Sequence, residues 1–246
     1  MTIFTKRHMS MIVVAALLTG CGGNGSSVDS NTTASSSSIQ DNYGNTYLEV
    51  TSPTTGQIWL DRNLGATQVC TTATDAACQG DLFQWGRPAD GHQFTTSTEN
   101  TVPFTSIAPD ITSDPTTYNH FIKSGVSNTY QDWTTADTTK VSRATFMFDA
   151  TTSKLCPVGY RVPTSVEWQN ETTLHPNTLL SSFLKMSDLR RRLPDVGTIM
   201  QFGSMWTSSI DVTNGGEPYA IYFLLGAPAV GAEYTAVGQA IRCIKP

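Results

Sequence analysis

The chain carries little charge. Only 14% of its 246 residues are Asp, Glu, Lys or Arg, and the formal net charge is −5. It has no stripe of Lys and Arg of the kind that binds nucleic-acid phosphates, so we expect no nucleic-acid partner. The one positive cluster, Arg190–Arg192, is expected at the solvated end of a helix.

Long hydrophobic runs are also missing near the N-terminus, where a membrane helix would be sought. The apolar run Met11–Leu18 is far shorter than the roughly 20 residues that span a bilayer. It has the length of a signal-peptide core, and Lys6, Arg7 and His8 supply the positive segment that precedes such a core. Residues 1–20 are therefore predicted to be a signal peptide.

The signal peptide ends in a motif that contains a cysteine. Leu18-Thr19-Gly20-Cys21 resembles the bacterial lipobox, which implies cleavage before Cys21 and attachment of lipid to it. Several acyl chains on one residue give stable anchoring, whereas a single chain binds reversibly. Gly22 stands where an Asp tends to retain lipoproteins in the inner membrane. We therefore expect an outer-membrane anchor that faces the periplasm or the cell exterior.

The segment after Cys21 has almost no apolar residues. Gly22–Gln40 consists mainly of Ser, Gly, Asn and Thr, which cannot bury enough surface to offset the entropy of ordering. Residues 21–40 are predicted to be a lipidated cysteine followed by a disordered tether. Residues 41–246 then form one folded domain.

Cysteine is scarce, and its count is informative. Once Cys21 is set aside, four cysteines remain, an even number that suggests two disulfides in an exported protein. Three pairings are possible, and we favour Cys70 with Cys78 and Cys156 with Cys243.

Motifs for metals and for nucleophilic catalysis are missing. The chain has no Cys-x-x-Cys, no His cluster with zinc-ligand spacing and no Gly-x-Ser-x-Gly. His92, His120 and His175 stand alone and are expected to be structural. We predict no metal, no cofactor and no catalytic residue, and we expect Asp61, Arg62, Asp90 and Arg161 to form structural ion pairs.

Local patterns predict an α+β domain with antiparallel sheets, two short helices and long loops. A hairpin is predicted from Thr46–Val50 and Gln57–Asp61, and a short buried helix or turn within Gly80–His92. Thr164–Leu174 reads as a helix, because Thr164 and Glu167 match a capping box. Further predictions are a helix over Thr178–Met186 and strands over Arg143–Asp149, Ser204–Ile210, Tyr219–Leu225, Ala232–Ala236 and Gln239–Ile244.

Residues Gln93–Ala144 are polar and Thr-rich, and they predict a long irregular insertion. Loops of this length are usually functional or mobile. Aromatic residues are expected to pin the insertion to the domain as packing residues, more than to form a glycan platform. They are Phe104, Tyr118, Phe121, Tyr130 and Trp133.

Five ordered blocks resemble the FISUMP domain, a family of paralogous exported bacterial domains. They are IWLDRNLGA (Ile58–Ala66), GDLFQWGRPADGH (Gly80–His92), CPVGYRVPTSVEW (Cys156–Trp168), MWTSS (Met205–Ser209) and AIRCIKP (Ala240–Pro246). The resemblance implies a fold related to C-type lectins and to formylglycine-generating enzymes. It implies that the N- and C-terminal strands pair, and it supports the Cys156–Cys243 disulfide.

The chain departs from the functional motifs of those related folds. Glu217-Pro218-Tyr219 and Met205-Trp206-Thr207 lack the oxygen ligands of a lectin calcium site, which takes 6–8 oxygens. Cys243 has no neighbouring reactive cysteine, which argues against oxidase chemistry.

The sequence therefore favours a surface-anchored, non-catalytic module that binds an unknown protein or glycan. Its candidate binding face is Trp206, Tyr219, Tyr222 and Tyr234. One alternative is a variable protein of a diversity-generating retroelement, in which Met205–Arg242 would vary. A structural envelope protein and an envelope enzyme are the others.

Overall fold

The structure is a computed structural model. Its described residues are 38–72, 74–107, 119–123, 132–152, 155–174, 184–186, 189–195, 197–201, 203–213, 215–224 and 227–246. The predicted signal peptide, Cys21, nearly all of the tether, Tyr118, Tyr130, His175 and most of the predicted helix Thr178–Met186 lie outside this part of the chain.

The described part is α+β and consists mostly of short antiparallel strands. Its helices are α1 (Val141–Phe148) and α2 (Ser165–Leu174). In chain order its strands are β1 (Ile39–Gln40), β2 (Thr46–Tyr47), β3 (Glu49–Thr51), β4 (Ile58–Leu60), β5 (Phe83–Gln84), β6 (Glu99–Asn100), β7 (Phe121–Ile122), β8 (Arg190–Arg192), β9 (Ile199–Gln201), β10 (Ser204–Asp211), β11 (Glu217–Leu224), β12 (Ala227–Ala232) and β13 (Gly238–Gln239).

Two larger sheets organise these strands. One has the order β10-β11-β12 and the other the order β5-β13-β8-β9, so the second joins strands that are distant in sequence. Strands β1 and β2 form an antiparallel pair, as do β3 and β4, while β6 and β7 pair in parallel. The predicted hairpin is confirmed in part as β3–β4, with Val50 opposite Trp59. Thr46 and Tyr47, which were predicted to belong to its first strand, form β2 and pair with β1.

The two ends of the domain meet, as expected. Trp59 forms a β-bridge with Ile244, and the Leu60 amide donates to the Cys243 carbonyl at 3.0 Å. The folded part begins earlier than predicted, because Ile39 and Gln40, which were assigned to the tether, form β1.

The core is rich in tryptophan. All five tryptophans of the chain are fully buried: Trp59, Trp85, Trp133, Trp168 and Trp206. Trp168 on α2 lies 4.6 Å from Trp59 between ring centroids and meets Phe223 edge to face, which seats the helix on the β10-β11-β12 sheet.

The capping box at the start of α2 is confirmed. The Thr164 hydroxyl accepts the Glu167 amide at 3.1 Å, and the Glu167 carboxylate accepts the Thr164 amide at 2.7 Å. Arg161 adds an ion pair to Glu167 at 2.6 Å. These bonds satisfy amides that the first helical turn would otherwise leave unpaired.

The predicted strand Arg143–Asp149 is wrong, since this segment belongs to helix α1. Asp137 accepts the Arg143 amide and so closes the first helical turn. The Arg143 guanidinium is buried against the rings of Trp85 and Trp133 and pairs with Asp132. Tertiary contacts of a single arginine thus override the β-like pattern of the sequence.

The Arg190–Arg192 cluster is not a helix end. It forms strand β8, and Arg192 is buried with its guanidinium 4.3 Å from the centre of the Phe121 ring. Glu99 and the Ser97 hydroxyl accept its protons, so this positive charge serves packing and pairing inside the domain.

Predictions for the C-terminal region are partly correct. Strands β10 and β11 occupy the segments predicted from Ser204 and Tyr219. The third strand lies earlier than Ala232–Ala236, as β12, and Gln239–Ile244 contributes only the end of β13 followed by single bridges. The predicted helix or turn in Gly80–His92 is strand β5 followed by turns.

Both predicted disulfides are present. Cys70 pairs with Cys78 across 8 positions, and Cys156 pairs with Cys243 across 87 positions. The second bridge fastens the approach to α2 onto the last segment of the chain.

Removing the long-range disulfide should cost more stability than removing the short one. In the chain-entropy account the loop of 87 residues contributes about 4–5 kcal/mol and the loop of 8 about 2–3 kcal/mol. Urea unfolding of the double variants Cys156→Ala/Cys243→Ala and Cys70→Ala/Cys78→Ala measures both losses. An equal or reversed order would contradict this account.

Candidate functional site

The structure does not bring the four residues of the predicted binding face together at the surface. Trp206 is fully buried, and its indole Nε1 donates to the Phe83 carbonyl at 2.6 Å, so it belongs to the core. Tyr219 and Tyr222 are half-buried, and only Tyr234 of the four is exposed. The prediction that these four residues form an exposed binding face is therefore wrong for Trp206, which is a core residue.

The same region restricts the retroelement alternative. Met205, Ile221 and Arg242 are buried, and the Arg242 guanidinium donates to the carbonyls of Leu60 and Leu184. Burial lowers the pKa of Arg242 to about 9. Variation at such positions would disturb the fold, which disfavours a freely diversified Met205–Arg242 surface.

An open cleft lies elsewhere, between two exposed aromatic rings. Tyr43 and Phe94 are 44% and 38% exposed, and their rings meet edge to face with centroids 5.3 Å apart. The cleft has a volume of about 460 Å³, within the range of ligand sites. It is lined by Tyr43, Asp90, Gly91, Phe94, Thr96, Ser97, Thr98 and Asn119.

The cleft is polar but nearly uncharged. Thr96, Ser97, Thr98 and Asn119, all with polar side chains, contribute to its lining. Asp90 is the one lining residue with a charge, and its side chain is 1% exposed and paired internally. Because no lining residue is Lys or Arg, the cleft offers nothing to balance an anionic ligand.

Tyr43 is positioned by a turn that Asp41 organises. The Asp41 carboxylate accepts the backbone amides of Tyr43 and Asn45, both at 2.9 Å, the Asn45 side-chain amide and the Tyr47 hydroxyl. Asp side chains commonly accept a hydrogen bond from the backbone amide two residues further along the chain, which forms an Asx turn. The turn joins β1 to β2 and presents the Tyr43 ring at the cleft.

Phe94 lies in a loop that is tied to the core at both sides. The Phe94 amide donates to the Gly91 carbonyl, and the Ser97 hydroxyl donates to the His92 carbonyl at 2.8 Å. Gly91 has φ of 106°, and a Cβ there would lie 2.8 Å from Cβ of Asn119. Glycine is therefore required where this loop crosses Asn119.

A buried polar network supports the floor of the cleft. Arg87 donates to Asp90 at 2.7 Å and to the side-chain oxygen of Gln84 at 2.7 Å. Asp90 also contacts His92 Nδ1 at 2.7 Å, and His92 Nε2 accepts a hydrogen bond from the backbone amide of Gln84 at 3.0 Å. All four side chains are buried. The expected structural roles of Asp90 and His92 follow from these bonds.

Burial and charge fix the protonation states in this network. Burial lowers the pKa of His92 to about 4, and the Arg87 charge acts in the same direction. Burial alone would raise the pKa of Asp90, but His92 and Arg87 lower it to about 2. At neutral pH His92 is therefore neutral, with its proton on Nδ1, and Asp90 is ionised.

The network contains Asp, His and Ser but does not form a catalytic triad. A triad needs the second imidazole nitrogen free to receive the proton of the serine. Here His92 Nε2 is occupied by the Gln84 amide, and the Ser97 hydroxyl binds the backbone carbonyl of His92 instead. The arrangement holds the loop in place and offers no activated nucleophile.

The expected ion pairs at the other predicted positions are also present. Arg62 pairs with Asp61 at 2.7 Å, and its guanidinium lies 5.1 Å from the centre of the Tyr47 ring. Within the described residues, no group of three or more His, Cys, Asp or Glu side chains could hold a metal ion. No helix of that part has the length and apolar character needed to cross a membrane.

Sequence reasoning missed Tyr43 and Phe94. Both are single aromatic residues in polar turns, so neither belongs to a periodic pattern. The available signals were weak: Asp41 two positions before Tyr43 favours an Asx turn, and Gly91 precedes Phe94. Only the fold brings the two rings together.

Replacing His92 should remove a specific part of the acid sensitivity of the fold. The pKa of His92 is about 4 in the folded chain and about 6.5 in the unfolded chain, so the unfolded chain binds a proton at higher pH than the folded chain does. The free energy of unfolding therefore decreases as pH falls from about 6.5 to about 4. The stability advantage of the native chain over His92→Gln should shrink by up to about 3 kcal/mol between pH 7 and pH 4. Urea unfolding of both chains at each pH checks this, and a constant difference would contradict it.

Comparison with known proteins adds no relative. The chain matches no protein-family model, no curated protein and no solved structure.

Proposed function

We propose that this chain is a lipid-anchored bacterial envelope protein whose folded domain binds neutral carbohydrate without catalysis, at the cleft between Tyr43 and Phe94. The observation that carries the proposal is the pair of exposed rings over a lining of hydroxyl and amide groups. Outward exposure of two aromatic rings has a solvation cost, which a ligand that covers them would offset.

A sugar ring matches both parts of the cleft. Pyranose rings have an apolar C–H face that packs on aromatic side chains and a rim of hydroxyls that exchange hydrogen bonds. Tyr43 and Phe94 supply aromatic surface, while Thr96, Thr98 and Asn119 have side chains of the kind that donate and accept hydrogen bonds. The missing positive charge favours a neutral ligand over phosphate or sulfate.

The resemblance of five sequence blocks to the FISUMP domain supports a binding role. We propose that the domain belongs to the FISUMP family and, through it, has a C-type-lectin-like fold. The pairing of Trp59 with Ile244 and the bridge from Cys156 to Cys243 are features that this assignment implies. The proposed family membership does not extend to a lectin calcium site at this segment. Glu217 forms an ion pair with Lys140, and neither Pro218 nor Tyr219 has a carboxylate.

The N-terminal segment supports display at the membrane. Lipid on Cys21 would anchor the chain, and the polar segment after it would reach roughly 25 Å if it is a random coil. Such a spacer would lift the cleft away from the lipid surface toward ligands in the periplasm or outside the cell.

Substitution of either ring should weaken glycan binding. A stacked aromatic ring contributes about 1–1.5 kcal/mol, so Tyr43→Ala and Phe94→Ala should each lower affinity about tenfold. A glycan array with the full-length chain identifies the ligand, and isothermal titration calorimetry with that glycan measures the variants.

Tyr234→Ala is the matched control, because Tyr234 is as exposed as Tyr43 but does not line the cleft. It should change affinity less than twofold, and thermal unfolding should show that all three variants are folded. Absence of binding across the array would refute the proposed carbohydrate-binding function. A loss confined to Tyr234→Ala would move the site back to the face predicted from sequence.

The anchor is tested separately. Cys21→Ser should move the protein from the membrane fraction to the soluble fraction, because no residue remains to carry the lipid. Its unfolding transition should match that of the unlipidated native chain. Ser35→Ala, a change within the polar segment, should leave the protein in the membrane fraction. Retention of Cys21→Ser in membranes would refute lipid anchoring at this residue.

A further inference from the structure

Asp81 lies beside the turn that carries Tyr43. The two residues line the same small cavity of about 10 Å³, together with Asp41. Gly65 approaches the Asp81 carboxyl group so closely that a Cβ on this glycine would lie 2.2 Å from Oδ2. Asp81 is thus confined between the Gly65 backbone and the Asp41 turn.

The two carboxyl groups of this cavity have different roles. Asp41 is the acceptor that closes the turn, with bonds from the amides of Tyr43 and Asn45 and from the Tyr47 hydroxyl. A second negative charge at Asp81 repels this acceptor across a cavity that has room for no more than about one water molecule. A protonated Asp81 removes the repulsion and can donate a hydrogen bond.

We propose that Asp81 is a proton-controlled latch, which keeps the Tyr43 turn closed when protonated and loosens it when ionised. The effect on ligand affinity rests on the proposed carbohydrate-binding function. The latch itself concerns only the Asp41 turn and requires no ligand.

Burial raises the pKa of Asp81 to about 7, and the Asp41 charge adds to this while Arg190 opposes it. Burial likewise raises the pKa of Tyr43, so its hydroxyl stays protonated across the relevant pH range. The charged and titratable groups that bear on Asp81 and on the turn are Asp41, Tyr43, Tyr47, Arg62, Asp90 and Arg190.

The direction of the pH effect follows from the raised pKa. An exposed aspartate titrates near 4, so Asp81 loses its proton at lower pH when the turn is open than when the turn is closed. Closure of the turn is therefore most favoured below about pH 4, and it weakens as pH rises toward 7. Above about pH 7 Asp81 is ionised in both states, and the free energy that favours closure falls no further. Ligand should be held more tightly in mildly acidic medium than in alkaline medium.

Hydrogen exchange of the Tyr43 and Asn45 amides reports on closure directly, because both donate to Asp41. Their protection factors, corrected for the intrinsic rate, should fall at least tenfold between pH 5 and pH 8 in the full-length chain. In Asp81→Asn, which cannot ionise, they should change less than twofold. Asp195→Asn, at an exposed position that does not line the cavity, should behave like the native chain.

Protection that is constant with pH in the native chain would overturn the latch, whichever variants fold. So would an unchanged pH dependence in Asp81→Asn, or in Asp81→Ala if the first variant does not fold. Since these measurements contain no glycan, a chain that binds no glycan can still confirm or refute the latch. Where a glycan is bound, its Kd should rise with pH in the native chain and stay constant in Asp81→Asn.

Discussion

The buried guanidinium of Arg87 is the constraint on which much of the domain depends. A charge that is fully removed from water is tolerated only if its protons are bound and its charge is balanced. Asp90 supplies the charge, Gln84 and the His120 carbonyl accept further protons, and the Phe104 ring covers the guanidinium at 4.7 Å. These partners come from three separate stretches of the chain, so satisfying one arginine fixes how they meet.

The long insertion is ordered through these contacts where it is described. Gln84 exchanges hydrogen bonds with the backbone of Ile122, and the Trp133 indole donates to the Trp85 carbonyl. The expectation that aromatic residues pin this insertion holds for Phe104, Phe121 and Trp133, which are buried. Because the network also fixes His92, the same interactions that attach the insertion hold the loop of Phe94.

Features with local causes could be predicted from sequence, and features with distant causes could not. The β3–β4 hairpin and the Thr164 capping box follow from turn residues and cap spacing. Cysteine parity predicts two disulfides but not their pairing, and support for Cys156 with Cys243 comes from the resemblance to the FISUMP domain. Helix α1 was missed because its stability comes from Arg143 contacts with Trp85 and Asp132, which no local pattern shows. The cleft was missed for the same reason, since Tyr43 and Phe94 meet only after β1 pairs with β2 and His92 is buried.

The positions of the two cleft rings differ in how firmly they are held. Phe94 belongs to a loop whose anchors, His92 and Arg192, are buried and bonded on several sides. Tyr43 lies in a turn that the Asp41 carboxylate closes together with a backbone bond from the Gly44 amide to the Asp41 carbonyl, and the titratable Asp81 lines the same cavity. A site with one wall anchored in a buried network and the other on an exposed turn can adjust to its ligand at low energetic cost. The aromatic residue that a change in pH or ligand would move first is therefore Tyr43.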